Sequence, residues 1–313
     1  MTIGGLASHG GADFGYAAPI VKRAAGAPPD LPEQDHDAYF TFAAGPGAAP
    51  PTAARRCACR HAGAHAMTPW RFDDVAAAAT PQHALPAVWP TRTGALTLHI
   101  AAVTPPARFD AAAFARHGIE LPDRIARAVP KRQAEYLAGR LCARAALAAL
   151  GMPAAQVGTA ALSAPAWPAG TTGSISHTGT LAAAVALPHA DCRGIGIDLE
   201  TVPDTDGLAA LRAVALNDTE RGLLAGAGGP GEDVLATLVF SAKESFFKAA
   251  AATVGRYFDF TAIECVDVGA DTLTCIVREA LAPDLQPGLR CRFDVAFAGR
   301  YVLTCFRWSL PCT

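Results

Sequence analysis

Two short segments of the chain carry acidic and basic side chains at spacings that could bind a metal ion beside a phosphate group. Residues 194–200 read GIGIDLE, a pattern typical of a strand. Side chains alternate along a strand, so Asp198 and Glu200 share one face and the other face is apolar. Carboxylate oxygens suit Mg²⁺, which prefers a few carboxylates together with water and substrate phosphate. The segment predicts a magnesium site; the alternative is a solvent-facing strand with two acids.

Residues 240–249 read FSAKESFFKA and predict a helix over 241–253. Glu244 and Lys248 are four residues apart, which places them on one face of that helix. Glu244 would add a third carboxylate and Lys248 a positive charge. An alternative is purely structural: Ser241 and Glu244 fit a helix-capping box, and Glu244 with Lys248 fits an ordinary ion pair.

Two further segments offer groups that could hold phosphate. Residues 173–186 read GSISHTGTLAAAVA and predict two strands joined by a turn, with Ser176 and His177 at the end of the first strand. Residues 131–144 read KRQAEYLAGRLCAR and predict a basic helix. Arginine is suited to bidentate phosphate contacts, although surface-exposed basic and histidine side chains would give the same pattern.

In this order and spacing, the four segments resemble the 4′-phosphopantetheinyl transferases of the enterobactin-synthetase-component type. The similarity covers roughly residues 97–308. The matching residues are Arg132, Gly139, Arg140 and Arg144, then Pro165-Ala166-Trp167-Pro168, the Ser-Ile-Ser-His run 174–177, the Gly-Ile-Asp-Leu-Glu run 196–200, and Lys243, Glu244, Ser245 and Lys248.

The resemblance implies an enzyme that moves the 4′-phosphopantetheine arm of coenzyme A to a serine of an apo acyl or peptidyl carrier protein and releases adenosine 3′,5′-bisphosphate. By resemblance, Mg²⁺ would be held by Asp198, Glu200 and Glu244. Catalysis would depend on Glu244, as the candidate general base, and Lys248. The residues that would contact coenzyme A are Arg132, Arg140, Ser176, His177, Asp198, Lys243 and Lys248.

One departure from the family pattern concerns the coenzyme A pocket. Family members often carry a basic residue just before the P-x-W-P stretch, where this chain has Ser163 and Ala164. One phosphate contact is therefore expected to be missing or supplied from elsewhere, with Arg144 as the candidate. Arg212, Arg221 and Arg256 are candidate contacts for an acidic carrier protein.

Other functions fit the sequence less well. A non-catalytic module that binds coenzyme A or a carrier protein has no need for clustered acids beside phosphates. A phosphotransferase that uses a nucleoside triphosphate lacks the G-x4-G-K-[ST] loop of the commonest type. The glycines at 194 and 196 lack the third glycine of a dinucleotide-binding loop.

Composition indicates a soluble enzyme. The 313 residues carry a net charge of −2, which does not favour nucleic-acid binding, and no apolar run is long enough for a membrane span. The odd count of nine cysteines is typical of reduced thiols, so we expect a cytoplasmic protein. The Cys57-Ala58-Cys59 run with His61 and His65 matches no usual zinc spacing.

The element order predicts an α+β fold with two similar halves. The resemblance implies that these halves are pseudo-symmetric and bind coenzyme A between them, an arrangement that would allow a functional monomer. Residues 1–66 are rich in Gly, Ala and Pro and are interpreted as a disordered appendage. A family-like start at Met67 opens the N-terminal half, 67–190. The C-terminal half is 191–313 and carries the metal site.

Overall fold

The computed structural model describes residues 72–160, 164–226 and 231–309. The expectations for residues 1–66, for the start at Met67 and for Ser163 lie outside that range. The helices are α1 (Phe72–Ala78), α2 (Ala113–His117), α3 (Asp123–Ala126), α4 (Pro130–Ala149), α5 (Thr205–Ala215), α6 (Asp218–Ala225) and α7 (Glu232–Val254). The strands are β1 (Leu85–Thr91), β2 (Gly94–Ala102), β3 (Gly158–Thr159), β4 (Pro165–Ala166), β5 (Thr171–His177), β6 (Leu181–Pro188), β7 (Gly194–Thr201), β8 (Ile263–Val268), β9 (Thr272–Val277), β10 (Arg290–Ala298) and β11 (Tyr301–Trp308).

The two halves of the fold share a strand–helix–hairpin arrangement, although the first sheet has four strands and the second has five. The first sheet has the strand order β1-β2-β6-β5 and the second β7-β11-β10-β9-β8. In each half, one strand (β2 or β7) leads to a long helix (α4 or α7) and pairs antiparallel with the last strand of that half, β6 or β11. Each long helix packs against its own sheet. The predicted α+β fold with pseudo-symmetric halves is confirmed.

Strand β7 joins the halves. Its apolar face, predicted from alternation, lies in a core cluster shared with the first sheet, where Ile197 packs with Leu98 and Ile100. Its free edge faces β5, and serine hydroxyls bridge the two edges. The backbone N–H groups of Ile197 and Leu199 donate to Ser174 Oγ and Ser176 Oγ, each at 3.0 Å. The Ser-Ile-Ser spacing therefore satisfies an otherwise unpaired sheet edge.

Helix α7 begins at Glu232, nine residues before the predicted start. Ser241 lies inside the helix, fully buried, and its hydroxyl lies 2.9 Å from Thr304 Oγ1. The interpretation of Ser241 as a helix cap is wrong, because an apolar first half, Leu235–Phe240, continues the helix upstream. The single helix that hydrophobic spacing predicts over 208–224 is two helices, broken where Asn217 caps α6 in a capping box with Glu220.

Gly194 and Gly196 allow α7 to lie directly on β7. A Cβ at Gly196 would fall 1.8 Å from the Ser245 carbonyl oxygen, and one at Gly194 would fall 2.2 Å from that of Ala249. Both contacts are with helix backbone, which cannot move without displacing Glu244 and its neighbours. This close packing accounts for the G-x-G spacing.

Gly196→Ala is therefore expected to lower the free energy of unfolding by at least about 2 kcal/mol, since it overpacks a backbone contact. Urea unfolding of purified protein measures the change. Gly222→Ala is the matched control, because this α6 glycine has open space around it. Alanine should stabilise the helix there by up to about 1 kcal/mol. Equal effects at the two positions would contradict the role of Gly196 in close packing.

Two further observations concern the cysteines and the helices of the described residues. Six cysteines lie within the described ranges, and all of them are buried free thiols: Cys142, Cys192, Cys265, Cys275, Cys291 and Cys305. None of the helices described above is both long enough and apolar enough to cross a membrane.

Candidate active site

The end of β5, strand β7 and helix α7 bring together a buried cluster of Asp198, Lys248 and Ser176. Lys248 Nζ donates to Asp198 Oδ1 at 2.6 Å and to Ser176 Oγ at 3.1 Å. Ser176 Oγ in turn donates to the same Asp198 oxygen at 3.0 Å. The ion-pair partner of Lys248 is thus Asp198 on the facing strand, and not Glu244 on its own helix. Sequence spacing predicted that Lys248 lies beside the acids, but it paired Lys248 with Glu244 on the same helix.

Two carboxylate oxygens in this cluster are buried without a hydrogen-bond partner. They are Asp198 Oδ2 and Glu244 Oε1, and the two residues are only 2 % and 3 % exposed. A buried carboxylate oxygen is normally paired, because leaving it unpaired costs the free energy of its lost hydration. These two oxygens are therefore available to a cation or to a substrate donor.

The charges of three carboxylates affect one another here. Burial raises the pKa of Glu244 to about 8; Lys248 opposes that shift and Asp198 adds to it. Burial, followed by the charges of Asp198 and Glu244, raises the pKa of Glu200 well above its usual range. For Lys248, burial acts to lower the pKa, but Asp198 and Glu244 outweigh it and the net shift is upward. The charges of Asp198 and Glu244 therefore both act on Glu200.

The donor set fits a hard divalent cation in its chemistry. It consists of carboxylate oxygens, two of which have no other partner, and bringing a cation to them would lower the raised pKa values. Across the described ranges, no three His, Cys, Asp or Glu side chains are arranged as an assembled metal site. The cation that pairs with Asp198 Oδ1 in this arrangement is Lys248 Nζ.

A second group of charged side chains lies at the end of β5. Arg132 Nη1 on α4 is 2.8 Å from His177 Nε2, and Glu135 Oε2 is 3.8 Å from Arg132 and 3.7 Å from His177 Nδ1. Burial, then the charges of Arg132, Lys248 and Lys131, hold the pKa of His177 well below its usual range. A neutral His177 accepts from Arg132 at Nε2 and carries its proton on Nδ1, facing Glu135.

Glu135 is a site residue that the sequence interpretation passed over. Its separation from Arg132, three residues along one helix, is the signal that could have identified it. Because it lies beside both Arg132 and His177, it fixes the orientation of the two groups that were predicted to contact phosphate.

Three predicted phosphate-binding residues are not brought to these groups. Arg140 is buried, stacks 4.4 Å above the Tyr136 ring and donates to the Gly158 carbonyl oxygen. Arg144 donates to the carbonyl oxygen of His117. Both side chains donate to backbone carbonyl oxygens, while Arg140 Nε is buried without a hydrogen-bond partner, so a role of either arginine in phosphate binding stays a prediction.

Lys243 likewise lies elsewhere. Its Nζ is 2.7 Å from Glu220 Oε1 and donates to the Ala215 carbonyl oxygen at 2.7 Å. This pair is almost wholly buried and turned toward α5 and α6. The adjacency of Lys243 and Glu244 in sequence does not bring them to one site, because successive helical residues point about 100° apart.

Comparison with known proteins assigns the chain to a class. Residues 121–187 match the family described as 4′-phosphopantetheinyl transferase N-terminal domain, and residues 194–299 match the 4′-phosphopantetheinyl transferase superfamily. The first range contains Arg132 and His177, and the second contains Asp198, Glu244 and Lys248. The protein is a transferase of this type.

Individual relatives agree with that class. The chain is 41% identical over 180 residues to 4′-phosphopantetheinyl transferase Svp of Streptomyces mobaraensis. That alignment covers 56% of this chain and 70% of Svp. It is 38% identical over 144 residues to enterobactin synthase component D of Salmonella typhi. That alignment covers 45% of this chain and 59% of the Salmonella protein. The chain belongs to the 4′-phosphopantetheinyl transferase family.

A solved structure with some likeness is a holo-(acyl-carrier-protein) synthase from Bacillus anthracis in complex with coenzyme A. The superposition covers 38% of this chain and 100% of the synthase chain, with 18% sequence identity and a TM-score of 0.27. A likeness at that level supports no conclusion about the site of this chain.

Proposed function

We propose that the protein transfers the 4′-phosphopantetheine arm of coenzyme A to a serine hydroxyl of an apo acyl or peptidyl carrier protein, with Mg²⁺ as cofactor. The observation that carries the proposal is the pair of unpartnered buried oxygens, Asp198 Oδ2 and Glu244 Oε1, beside the Lys248 ammonium group. Such an arrangement suits a reaction in which negative charge develops on phosphate oxygens. The relative Svp is named a 4′-phosphopantetheinyl transferase, which supports transfer of the phosphopantetheine arm.

Asp198, Glu200 and Glu244 are the residues that would hold Mg²⁺. When bound, the metal would supply charge neutralisation at the pyrophosphate in addition to that from Lys248. Arg132 and His177 would hold a coenzyme A phosphate, with Glu135 keeping both groups oriented. Ser176, near the end of β5, would hold the Asp198 carboxylate and the Lys248 ammonium group in position through its hydroxyl.

The proposed chemical step is a displacement at the β-phosphorus of coenzyme A. The serine oxygen of the carrier forms a bond to the β-phosphorus, and the bond from that phosphorus to the bridging oxygen breaks. Adenosine 3′,5′-bisphosphate leaves with the electron pair. Glu244 would take the serine proton, and Lys248 would balance charge on the transferring and leaving oxygens. Because a bound cation lowers the pKa of Glu244, its role as a metal ligand is stronger than its role as a base.

Release of adenosine 3′,5′-bisphosphate tests the proposal. The nucleotide should appear by chromatography only when coenzyme A, Mg²⁺ and apo carrier protein are all present, and chelator should stop it. Replacing coenzyme A by ATP should give no transfer. Nucleotide release without a carrier, or transfer from ATP, would contradict the proposed reaction.

A further inference from the structure

Three hydroxyl side chains lie buried between helix α7 and strand β11, next to the candidate active site. They are Ser241 and Ser245 of α7 and Thr304 of β11, and each residue is 0 % exposed. Thr304 Oγ1 lies 2.9 Å from Ser241 Oγ and 2.7 Å from Ser245 Oγ. These three residues are named the hydroxyl cluster, and none of them has a role in the chemical step described above.

The hydroxyl cluster also bonds to the backbone of both strands beneath α7. Ser245 Oγ donates to the Thr304 carbonyl oxygen at 3.1 Å, and Ser241 Oγ donates to the Asp198 carbonyl oxygen at 3.4 Å. Buried hydroxyl groups need such partners, because an unpaired one costs the free energy of its lost hydration. Hydrogen bonds weaken steeply when they are misaligned, so these contacts together define one position of α7 over the sheet.

The hydroxyl cluster connects the two elements that carry the acids. Thr304 lies directly opposite Asp198 in the antiparallel pairing of β11 with β7, so the two side chains share one face of the sheet. On α7, Ser241 and Ser245 are four residues apart and lie on the helix face that carries Glu244. The cluster therefore links the strand position of Asp198 to the helix position of Glu244.

Other contacts of α7 restrain its position less sharply. Gly196 allows the helix to lie close to β7 but has no side chain that could interlock with it. Phe246 packs against Phe306 with ring centroids 5.3 Å apart, and apolar burial of this kind is non-directional. The Lys248 side chain that reaches Asp198 is long and flexible. The hydroxyl cluster, with its short side chains, is the sharper restraint.

We propose that the hydroxyl cluster positions the Glu244 carboxylate relative to Asp198 and thereby sets how tightly the site binds a divalent cation. This inference rests on the proposed function, since the cation is the one assigned there. The cation would take its ligands from a strand and a helix. A small shift of α7 would therefore change the separation of Glu244 Oε1 and Asp198 Oδ2, the two buried oxygens without partners. Loss of residues that orient metal ligands weakens metal binding by about tenfold or more.

Two variants of Thr304 separate the hydroxyl from the packing of this side chain. Thr304→Val removes the hydroxyl and keeps the shape, whereas Thr304→Ser keeps the hydroxyl and removes the methyl group. In Thr304→Val both serines retain backbone carbonyl oxygens as acceptors, so the protein should fold. Thr237→Val is the matched control, because Thr237 is equally buried on α7 but donates to the Asp233 carbonyl oxygen of its own helix.

The experiment measures binding of Mn²⁺, which accepts the same carboxylate ligands as Mg²⁺, by electron paramagnetic resonance with coenzyme A present and no carrier. Thr304→Val should weaken Mn²⁺ binding about tenfold and raise the Mg²⁺ concentration for half-maximal carrier modification by a similar factor. Thr304→Ser should bind Mn²⁺ within about twofold of the wild type, although its lost methyl group makes it the less stable protein. Thr237→Val should match the wild type in both measurements.

Several results would overturn the inference. Wild-type Mn²⁺ affinity in Thr304→Val, or an equal loss in Thr237→Val, would show that the hydroxyl cluster does not set the site. Carrier modification by the wild type would then leave the proposed function standing. A loss in Thr304→Ser as large as in Thr304→Val would assign the effect to packing instead of the hydroxyl. If the wild type neither binds Mn²⁺ nor modifies a carrier, the proposed function fails and this inference fails with it.

Discussion

Glu244→Gln is expected to reduce kcat for carrier modification by about 10³-fold or more while leaving the protein folded. The carboxylate is a proposed metal ligand whose Oε1 has no other partner. Its loss should remove several kcal/mol of transition-state stabilisation. Glutamine keeps the size of the side chain, so packing against β7 is retained. Initial rates at saturating coenzyme A and Mg²⁺ measure the effect.

A stability measurement separates this loss of activity from misfolding. Because the folded-state pKa of Glu244 is raised to about 8, keeping the carboxylate ionised in the metal-free protein costs free energy. That cost is absent below the unfolded-state pKa and grows as pH rises toward 8. Metal-free Glu244→Gln should therefore be at least as thermostable as wild type at pH 8. Near-wild-type activity in a folded variant would contradict the assigned role of Glu244.

Lys243→Met is expected to lower the free energy of unfolding by roughly 3–5 kcal/mol, since it leaves the carboxylate of Glu220 buried without its cation. Glu220 is 0 % exposed and also accepts from the backbone N–H groups of Asn217 and Cys265. The double variant Lys243→Met/Glu220→Gln should recover much of that loss, because glutamine can still complete the capping box. Chemical denaturation of the three proteins measures this coupling.

Kinetics of the same double variant decide between two roles for Lys243. If the Lys243–Glu220 pair only holds α7 against α5 and α6, the double variant should retain a KM for coenzyme A near the wild-type value. A tenfold increase in that KM, in a protein with recovered stability, would return Lys243 to the phosphate-binding role suggested by sequence.

Periodicity and motif spacing predicted much of the frame of the site. Alternation in β7 placed Asp198 opposite the apolar face of Ile195 and Ile197, and the strand lies as predicted. The sequence pattern also predicts strands over 262–268, 272–277, 289–298 and 301–308, and the observed strands lie within one residue of these bounds. These elements follow local rules of strand alternation and turn chemistry, which a single sequence displays.

Sequence reasoning failed where tertiary contacts override local patterns. Ser241 and Glu244 satisfy the capping-box spacing, yet the helix begins at Glu232, because the residues between are apolar enough to bury the extra turns. Lys243 and Lys248 both lie close to Glu244 in sequence, but only the structure shows that Lys243 pairs with Glu220 and Lys248 with Asp198. Pairings across more than twenty residues, such as Lys243 with Glu220, leave no periodic signal.

The measurement that tests the account most directly is the intact mass of an apo carrier protein after incubation with the wild-type chain, coenzyme A and Mg²⁺. A carrier variant with its acceptor serine replaced by alanine is the control. The account predicts a gain of one phosphopantetheine arm on the carrier, none on the alanine variant, and none in either case with chelator or with Glu244→Gln. An unchanged mass across fatty-acid, polyketide and peptide carriers, with folded protein that binds coenzyme A, would contradict it and favour a binding module.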